Sequence, residues 1–167
     1  MSQQEVAELY AAARGGVYRS LIMMGVDPAR AQEATQEAFL RLYVELSDGG
    51  LVENPRAWVY RAAHNVALDW IARQSRESGW SDVFVGTLIS PHISAEQELI
   101  DQESAERVQQ AIQSLSMRQR LCLEMRAQGM QYQEIAEALQ VRPSTVGEFL
   151  RRAIRRLRKS TLCDQQH

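Results

Sequence analysis

Residues 131–159 read as two short amphipathic helices separated by a sharp turn, and this pattern constrains the fold more than any other feature of the chain. Apolar side chains recur at helical spacing up to Leu139, a Val-Arg-Pro segment interrupts them, and a second apolar period begins at Val146. Pro143 suits the first turn of a helix, where its missing N–H group costs nothing. Two helices joined by three or four residues indicate a helix-turn-helix unit.

The second of these helices has a strongly basic face opposite its apolar stripe. Seven cations and a single acid, Glu148, lie between Arg142 and Lys159. This pattern is typical of a helix that enters the DNA major groove. The alternative is an ordinary solvated face, which is the usual place for arginine on an amphipathic helix. The near absence of acids favours DNA contact.

Length and charge limit the organisation of the chain. Its 167 residues allow one ordinary domain or two small ones. A net charge of −2 excludes a general polyanion binder, so the basic character is local. Between Arg76 and Arg107 there is no Lys or Arg, whereas seven residues are acidic. We therefore expect an acidic segment that connects two parts of the chain in which positive and negative charges are closer to balance.

Composition also disfavours several classes of protein. Cys122 and Cys163 lack metal or disulfide spacing, and Cys122 is expected in the core. The three histidines form no triad or ligand spacing, so we expect no enzyme, metal or cofactor. No apolar run could span a membrane and no signal peptide is visible at the N-terminus, which predicts a cytoplasmic protein without membrane insertion.

The first third of the chain predicts two helical regions. Residues 5–13 look helical, a Gly-Gly pair weakens the pattern, and residues 17–24 resume it. Asp27 followed by proline is a helix start signal, so a helix should run from there to about residue 46. Its inward positions are expected to be Ala31, Ala34, Ala38, Phe39, Leu42 and Leu46.

A second start signal, Asn54 followed by proline, opens a long helix that reaches about residue 76. One of its sides combines an aromatic ring, arginines and an amide, which together can hold unpaired bases. Trp58 could instead be a core residue, and Asp69 could simply pair with Arg73. His64 has no partner in view and is expected at the surface. The residues of this side are Trp58, Arg61, Asn65, Asp69 and Arg73.

The remaining signals complete an all-α fold. Residues 75–94 lack a sustained period, whereas Ser94 with Gln97 and Ser116 with Gln119 form capping boxes for two more helices. Gly129 suits a left-handed helix end. The sequence thus predicts two small helical domains at 1–76 and 95–160, a flexible acidic linker at 77–94, and a frayed tail at 161–167.

Motifs in both blocks resemble the extracytoplasmic-function (ECF) class of bacterial sigma factors. Residues 36–40 read Gln-Glu-Ala-Phe-Leu, and residues 55–65 match the family pattern Pro-x-x-Trp-Leu-x-x-Ile-Ala-x-Asn with conservative changes. Residues 115–120 read Leu-Ser-Met-Arg-Gln-Arg, where the family typically has Leu-Pro-x-x-x-Arg. Residues 132–139 read Tyr-Gln-Glu-Ile-Ala-Glu-Ala-Leu, and Thr-Val follows at 145–146. The set lies in the family's order and spacing over about three quarters of the chain.

This resemblance implies a promoter-specificity factor that binds core RNA polymerase and directs transcription initiation. The clamp helices of the largest polymerase subunit would bind the polar face of the second helix. Without the resemblance, that polar face would be interpreted as an ordinary solvent-exposed side. The flap of the second-largest subunit and an anti-sigma factor are further expected partners. The residues implied for the clamp are Glu33, Gln36, Glu37 and Arg41.

The resemblance also implies two contacts with promoter DNA. The helix from Pro55 would capture the melted −10 element, and the second helix of the C-terminal unit would read the −35 duplex. The −10 candidates are Trp58, Arg61, Asn65 and Arg73. The −35 candidates are Arg142, Ser144, Thr145, Glu148, Arg151, Arg152 and Arg155.

Some residues depart from the family pattern, and a second function remains open. Gln140 occupies a turn position where glycine is common, and Gly147-Glu148 replaces a common Lys-Ser pair, which predicts a divergent −35 preference. Arg30 and Gln32 replace acids before the clamp motif. The alternative function is a stand-alone helix-turn-helix regulator that binds operators as a dimer.

Overall fold

The computed structural model of the protein describes residues 1–78 and 98–162, and every regular element in these ranges is an α-helix. This confirms the predicted all-α class. Residues 79–97 and 163–167 lie outside the described ranges, as do most of the predicted linker, the Ser94 capping box and most of the tail. The helices are α1 (Gln3–Met23), α2 (Pro28–Ser47), α3 (Pro55–Ser78), α4 (Glu98–Gln113), α5 (Met117–Ala127), α6 (Tyr132–Leu139) and α7 (Pro143–Leu162).

Helix α1 is unbroken, so the predicted weakening at Gly15 and Gly16 is wrong. Gly16 is buried, and a Cβ atom there would lie 2.2 Å from the hydroxyl oxygen of Tyr60 on α3. The glycine therefore serves close approach between two helices and does not end the helix. A capping box at Ser2 and Glu5 supports the helix start, and tertiary packing supplies the stability that glycine lowers.

The two start signals in the N-terminal half are confirmed. Oδ1 of Asp27 accepts from the backbone N–H of Arg30 at 3.1 Å, and Oδ1 of Asn54 accepts from that of Ala57 at 3.1 Å. Each acceptor satisfies a donor that the first helical turn leaves free. The predicted inward positions of α2 are also confirmed, since all are buried except Leu46, which is half-buried.

His64 is buried, so its predicted surface position is wrong. Its side chain faces α1, where Nε2 lies 2.9 Å from Oγ of Ser20. That hydroxyl donates to the carbonyl of Val17, so we infer that the histidine Nε2–H donates to it. Burial lowers the pKa of His64 to about 4. The sequence could not predict this burial, because nothing in the spacing of α3 residues shows that Ser20 on α1 supplies the hydrogen bond of the histidine.

The C-terminal half follows the remaining local signals. The Ser116–Gln119 capping box is confirmed, and Gly129 adopts the expected left-handed conformation with a φ of 81°. Cys122 is buried as predicted, and burial raises the pKa of its thiol to about 11. None of the helices in the described ranges is long and apolar enough to cross a membrane.

The two halves of the described chain pack against each other. Helix α3 contacts α6, and α1 contacts α5. A single cluster of buried apolar side chains includes Val17 and Tyr60 from the first half and Met125 and Ile135 from the second. The division into domains at 1–76 and 95–160 stays a prediction.

The buried histidine predicts a specific pH dependence of stability. Because the pKa of His64 is lower in the folded chain than in the unfolded chain, the unfolded chain binds more protons between these two values, and stability falls as pH drops through that window. From about pH 7.5 to about pH 5 the native protein should lose roughly 2 kcal/mol more than a His64→Phe variant. Urea unfolding followed by circular dichroism measures this difference. Parallel pH profiles for the two proteins would contradict it.

Candidate nucleic-acid interface

Helices α6 and α7 form the helix-turn-helix, and the turn between them has a defined hydrogen-bond pattern. Gln140 is left-handed, with φ 57° and ψ 44°. Its N–H donates to the carbonyl of Glu137 at 3.3 Å, and that of Val141 donates to Ala136 at 3.0 Å. These two bonds form a Schellman motif, which reverses the chain sharply. The next helix begins at Pro143, as predicted.

The buried stripe of α7 fixes which of its faces is available to a ligand. Val146, Leu150 and Ala153 are buried against the other helices of this half. Ala136 on α6 is only 4% exposed, so a small residue is buried on the first helix of this unit. The side of α7 opposite this stripe faces solvent.

The residues predicted for the −35 duplex lie together at the start and along the free side of α7. Thr145 is half-buried, and the others are exposed. Oε1 of Glu148 accepts from Arg152 Nη2 at 2.5 Å, so the acid and one of the arginines form an ion pair one turn apart. The exposed members are Arg142, Ser144, Glu148, Arg151, Arg152 and Arg155.

Two neighbours of this face have structural contacts. Arg156 donates to the backbone carbonyl of Ser114, which ties α7 to the end of α4. Gly147 lies over the ring of Tyr132, where an added Cβ would be 3.5 Å from Cε2. Position 147 is therefore partly covered by α6, and of the two departures at 147–148 only Glu148 lies on the exposed face.

The residues predicted for the −10 element are distributed along α3. Trp58 is half-buried and packs against the apolar core, while Arg61 is half-buried. Asn65 and Arg73 are exposed. Sequence reasoning missed Leu68, which is 48% exposed and follows Arg61 and Asn65 at helical spacing. Its helical spacing with these residues is visible in the sequence, but spacing alone does not show that an apolar side chain is exposed.

The residues predicted for the clamp lie on one face of α2. Glu33, Gln36 and Arg41 are exposed, and Glu37 is half-buried and accepts from Arg41. Sequence reasoning gave no role to two apolar side chains on this face that remain in solvent. They are Leu40, which is 64% exposed, and Val44, which is 49% exposed.

An open groove of about 420 Å³ adjoins this face between α1 and α2. Gln36 and Gln32 contribute amide groups to its walls. Arg14 also lines it, and its guanidinium carbon lies 5.5 Å from the centroid of the Tyr10 ring. The groove thus offers a cation, amides and phenol rings to a partner.

The structure gives Arg30 a role within the fold. Its guanidinium carbon lies 5.6 Å from the centroid of the Trp70 ring on α3, and its Nε lies 3.5 Å from Oδ2 of Asp27. A cation over an indole ring links the start of α2 to α3. Arg30, which replaces an acid of the family pattern, thus contributes a contact between α2 and α3.

Within residues 1–77 and 106–160, no group of three or more His, Cys, Asp or Glu side chains is placed to hold a metal ion.

Comparison with known families gives two matches within one family. Residues 9–77 match Sigma-70 region 2, and residues 105–157 match Sigma-70 region 4. The first range contains the α2 and α3 faces, and the second contains the helix-turn-helix. The two matches together cover most of the chain.

Relatives and solved structures agree with these matches. The ECF RNA polymerase sigma factor SigK of Mycolicibacterium vanbaalenii is 29% identical over 159 residues, which span 92% of this chain and 80% of SigK. The sigma factor RpoE in complex with the anti-sigma factor NepR, from Bartonella quintana, has a similar fold, with a TM-score of 0.69 and 21% identity over 97% of each chain. CnrH in complex with the cytosolic domain of CnrY gives a TM-score of 0.59 at 19% identity, over 99% of this chain and 92% of CnrH.

The left-handed turn residue predicts a stabilising substitution. A non-glycine residue in this conformation costs roughly 1 kcal/mol, so Gln140→Gly should raise the free energy of unfolding by about that amount. Urea unfolding measures the change, and Gln133→Gly on α6 is the opposite control because glycine within a helix destabilises it. A Gln140→Gly variant less stable than the native protein would contradict the prediction.

Proposed function

Because the chain belongs to the sigma-70 family, in its ECF class, we propose that it binds core RNA polymerase through α2 and contacts promoter DNA through α3 and α7. The family membership makes it an alternative sigma factor that directs transcription initiation. The observation that carries the residue-level proposal is the separation of three solvent-facing sides, one each on α2, α3 and α7. Each is the side of its helix left free by core packing.

The free side of α7 is the proposed contact with the −35 duplex. Arg151, Arg152 and Arg155 would neutralise backbone phosphates, which supplies affinity without sequence information. Glu148 is the candidate for base reading, because a carboxylate can accept from the amino group of cytosine. Its ion pair with Arg152 brings opposite charges to adjacent positions and favours a contact that needs both a donor and an acceptor.

The outer face of α3 is the proposed contact with the melted −10 strand. Arg61 and Arg73 would meet phosphates, and Asn65 could hydrogen-bond a base edge. Trp58 is half-buried and offers only part of its side chain for stacking, whereas Leu68 provides apolar surface on the Arg61 side. Melting needs no covalent step, since binding of unpaired bases supplies the free energy that strand separation costs.

The free face of α2 is the proposed contact with the clamp helices of the largest polymerase subunit. Leu40 and Val44 form an apolar strip bordered by Glu37 and Arg41. An apolar centre with a charged rim is the usual anatomy of a protein interface. The flap of the second-largest subunit is the proposed partner of the C-terminal half, as in the family that the chain resembles.

An anti-sigma factor is a further proposed partner. The two similar solved structures are both complexes, RpoE with the anti-sigma factor NepR and CnrH with the cytosolic domain of CnrY. We propose that this chain is held by an inhibitor in the same way and acts in the cytoplasm, where core polymerase is found.

Reconstitution tests the proposed function directly. Adding the purified protein to bacterial core polymerase should give transcripts that depend on specific promoters. Genomic fragments supply the candidate promoters, and aligned transcript starts then reveal the shared elements. Binding to a two-fold symmetric operator without co-elution with core polymerase would instead favour the stand-alone regulator.

The α2 face predicts a measurable loss of polymerase binding. Leu40→Ala should weaken binding to core polymerase about tenfold, because it removes apolar surface at the centre of the proposed interface. Leu51→Ala is the matched control, since Leu51 is 99% exposed and lies outside this face. Affinities for core polymerase are measured by fluorescence anisotropy, and equal affinities of the two variants would show that this face of α2 does not contact the polymerase.

The α7 face predicts a change in salt dependence. Replacing Arg151 and Arg152 by Ala should weaken binding to a −35 duplex and reduce the slope of log affinity against log salt by about two, roughly one for each lost phosphate contact. Arg118→Ala on α5 removes an exposed arginine from the same half and serves as the control. A double variant with an unchanged slope would mean that this helix does not lie in the groove.

A further inference from the structure

Gly147 is a glycine that the fold of α7 does not require. The glycines with a positive φ in the described chain are Gly25, Gly49 and Gly129, so the backbone conformation at 147 is open to any residue. A Cβ atom there would lie 3.5 Å from Cε2 and 3.9 Å from Cδ2 of Tyr132, which are ordinary van der Waals distances. Alanine would therefore fit, and it would favour the helix that glycine destabilises. The lack of a side chain at this position needs a reason outside the fold.

Gly147 lies in the part of α7 that a helix-turn-helix presents to DNA. It is the fifth residue of the helix, which begins at Pro143, and the N-terminal residues of the second helix are those that contact base edges. Ser144, Glu148 and Arg151 are its exposed neighbours on the helix. Nε of Arg151 lies 3.4 Å from the carbonyl oxygen of Gly147. Glycine therefore opens space beside the residues proposed to contact the −35 duplex.

The ring of Tyr132 forms one wall of this space. Tyr132 is the first residue of α6 and is 46% exposed, whereas Gly147 is half-buried beside it. We call the space that a Cβ at 147 would occupy, together with the ring that borders it, the Gly147–Tyr132 notch. Its walls are ring carbons and helix backbone, and the distance to the ring is that of a carbon atom in contact. The notch is thus suited to a group about as large as a methyl group.

The chemistry of the notch distinguishes among the groups that DNA presents to it. In the major groove, guanine, adenine and cytosine present hydrogen-bonding atoms, whereas thymine also presents its C5-methyl group. A polar edge would lose hydrogen bonds with water against the ring carbons, whereas a methyl group gains free energy by burial. The backbone N–H of Gly147 belongs to the helical hydrogen-bond pattern, so it is not a donor for a phosphate. A thymine methyl group is therefore the occupant that fits.

We propose that the Gly147–Tyr132 notch receives the C5-methyl group of one thymine in the −35 element, and that it makes the protein specific for thymine at that position. This rests on the proposed function, in which α7 lies in the major groove. The arginines of α7 supply affinity for phosphates, and the notch adds an apolar contact that depends on sequence. Gly147, which replaces a common lysine of the family pattern, then exchanges a cation for the recognition of one base.

Removal of the methyl group from the DNA tests the notch directly. Random duplexes are first selected with the protein bound to core polymerase, which gives the −35 element. Each thymine of that element is then replaced by uracil, which lacks only the C5-methyl group. Replacement at one position should weaken binding about fourfold, as expected for the loss of one buried methyl group. The readout is the ratio of the dissociation constants of the uracil and thymine duplexes, measured by fluorescence anisotropy.

Two substitutions should abolish the effect of uracil. Gly147→Ala fills the notch and Tyr132→Ala removes its wall, so the ratio should fall to about one in each variant. Gly15→Ala is the matched control, because it replaces a half-buried helical glycine on α1 whose Cβ would lie 3.4 Å from Nη1 of Arg19. The control should keep the native ratio. Since each ratio compares two duplexes with one protein, any change in polymerase binding cancels.

A methyl group on a different base separates recognition of the methyl from recognition of the base pair. At the sensitive position, a pair of 5-methylcytosine with guanine should bind the native protein about fourfold more tightly than cytosine with guanine. The same two duplexes should bind Gly147→Ala equally. Equal binding of both duplexes by the native protein would overturn the proposal.

The stability of Gly147→Ala excludes a structural role of the glycine. Its midpoint of urea unfolding should be higher than that of the native protein, because alanine favours a helix, and a lower midpoint would overturn the proposal. A selected element without a thymine that is sensitive to uracil would also overturn it, as would a native ratio in either notch variant. If the polymerase-bound protein selects no element at all, the proposed function itself fails, and the notch fails with it.

Discussion

Burial of helix α3 on several sides is the constraint on which the rest of the structure depends. This helix contacts α1 and α2 in its own half and α6 in the other. Val59, Tyr60 and Ala63 are inaccessible to solvent as a result. What remains exposed on α3 is a narrow strip, and the proposed −10 residues lie within or beside it. The position of that strip follows from which side chains the three neighbours bury.

Small residues make this close packing possible. Ala57, Ala63 and Ala67 on α3 are fully buried, and Gly16 on α1 lets the Tyr60 ring approach its backbone. Larger side chains would hold the helices apart and expose the buried histidine that joins α3 to α1. The free faces of α2 and α7 are consequences of the same packing, because burial of one side of each helix leaves its opposite side in solvent.

Local signals made much of the fold predictable. The caps at Asp27, Ser116 and Gly129 depend on hydrogen bonds within a few residues, so the sequence shows them directly. The unbroken α1 and the buried His64 depend on partners more than forty positions away, and periodicity alone does not reveal such partners. The contact between the halves was missed for the same reason. The site residues came from helical spacing and family resemblance, and their roles stay predictions. The exposure of Leu40 and Leu68 was not predicted, because apolar spacing does not show which side chains the neighbouring helices leave uncovered.

The loop before α3 contacts the start of α6, where Nδ2 of Asn54 lies 3.3 Å from Oε1 of Glu134. Asn54 uses Oδ1 to cap α3 and only Nδ2 to reach Glu134. Glu134 in turn accepts from the backbone of Gln131 through Oε2, and uses Oε1 for Asn54. Loss of this contact would leave both helix starts capped, with one amide N–H and one carboxylate oxygen exposed to water. The contact between the halves is therefore independent of the hydrogen bonds that begin the two helices.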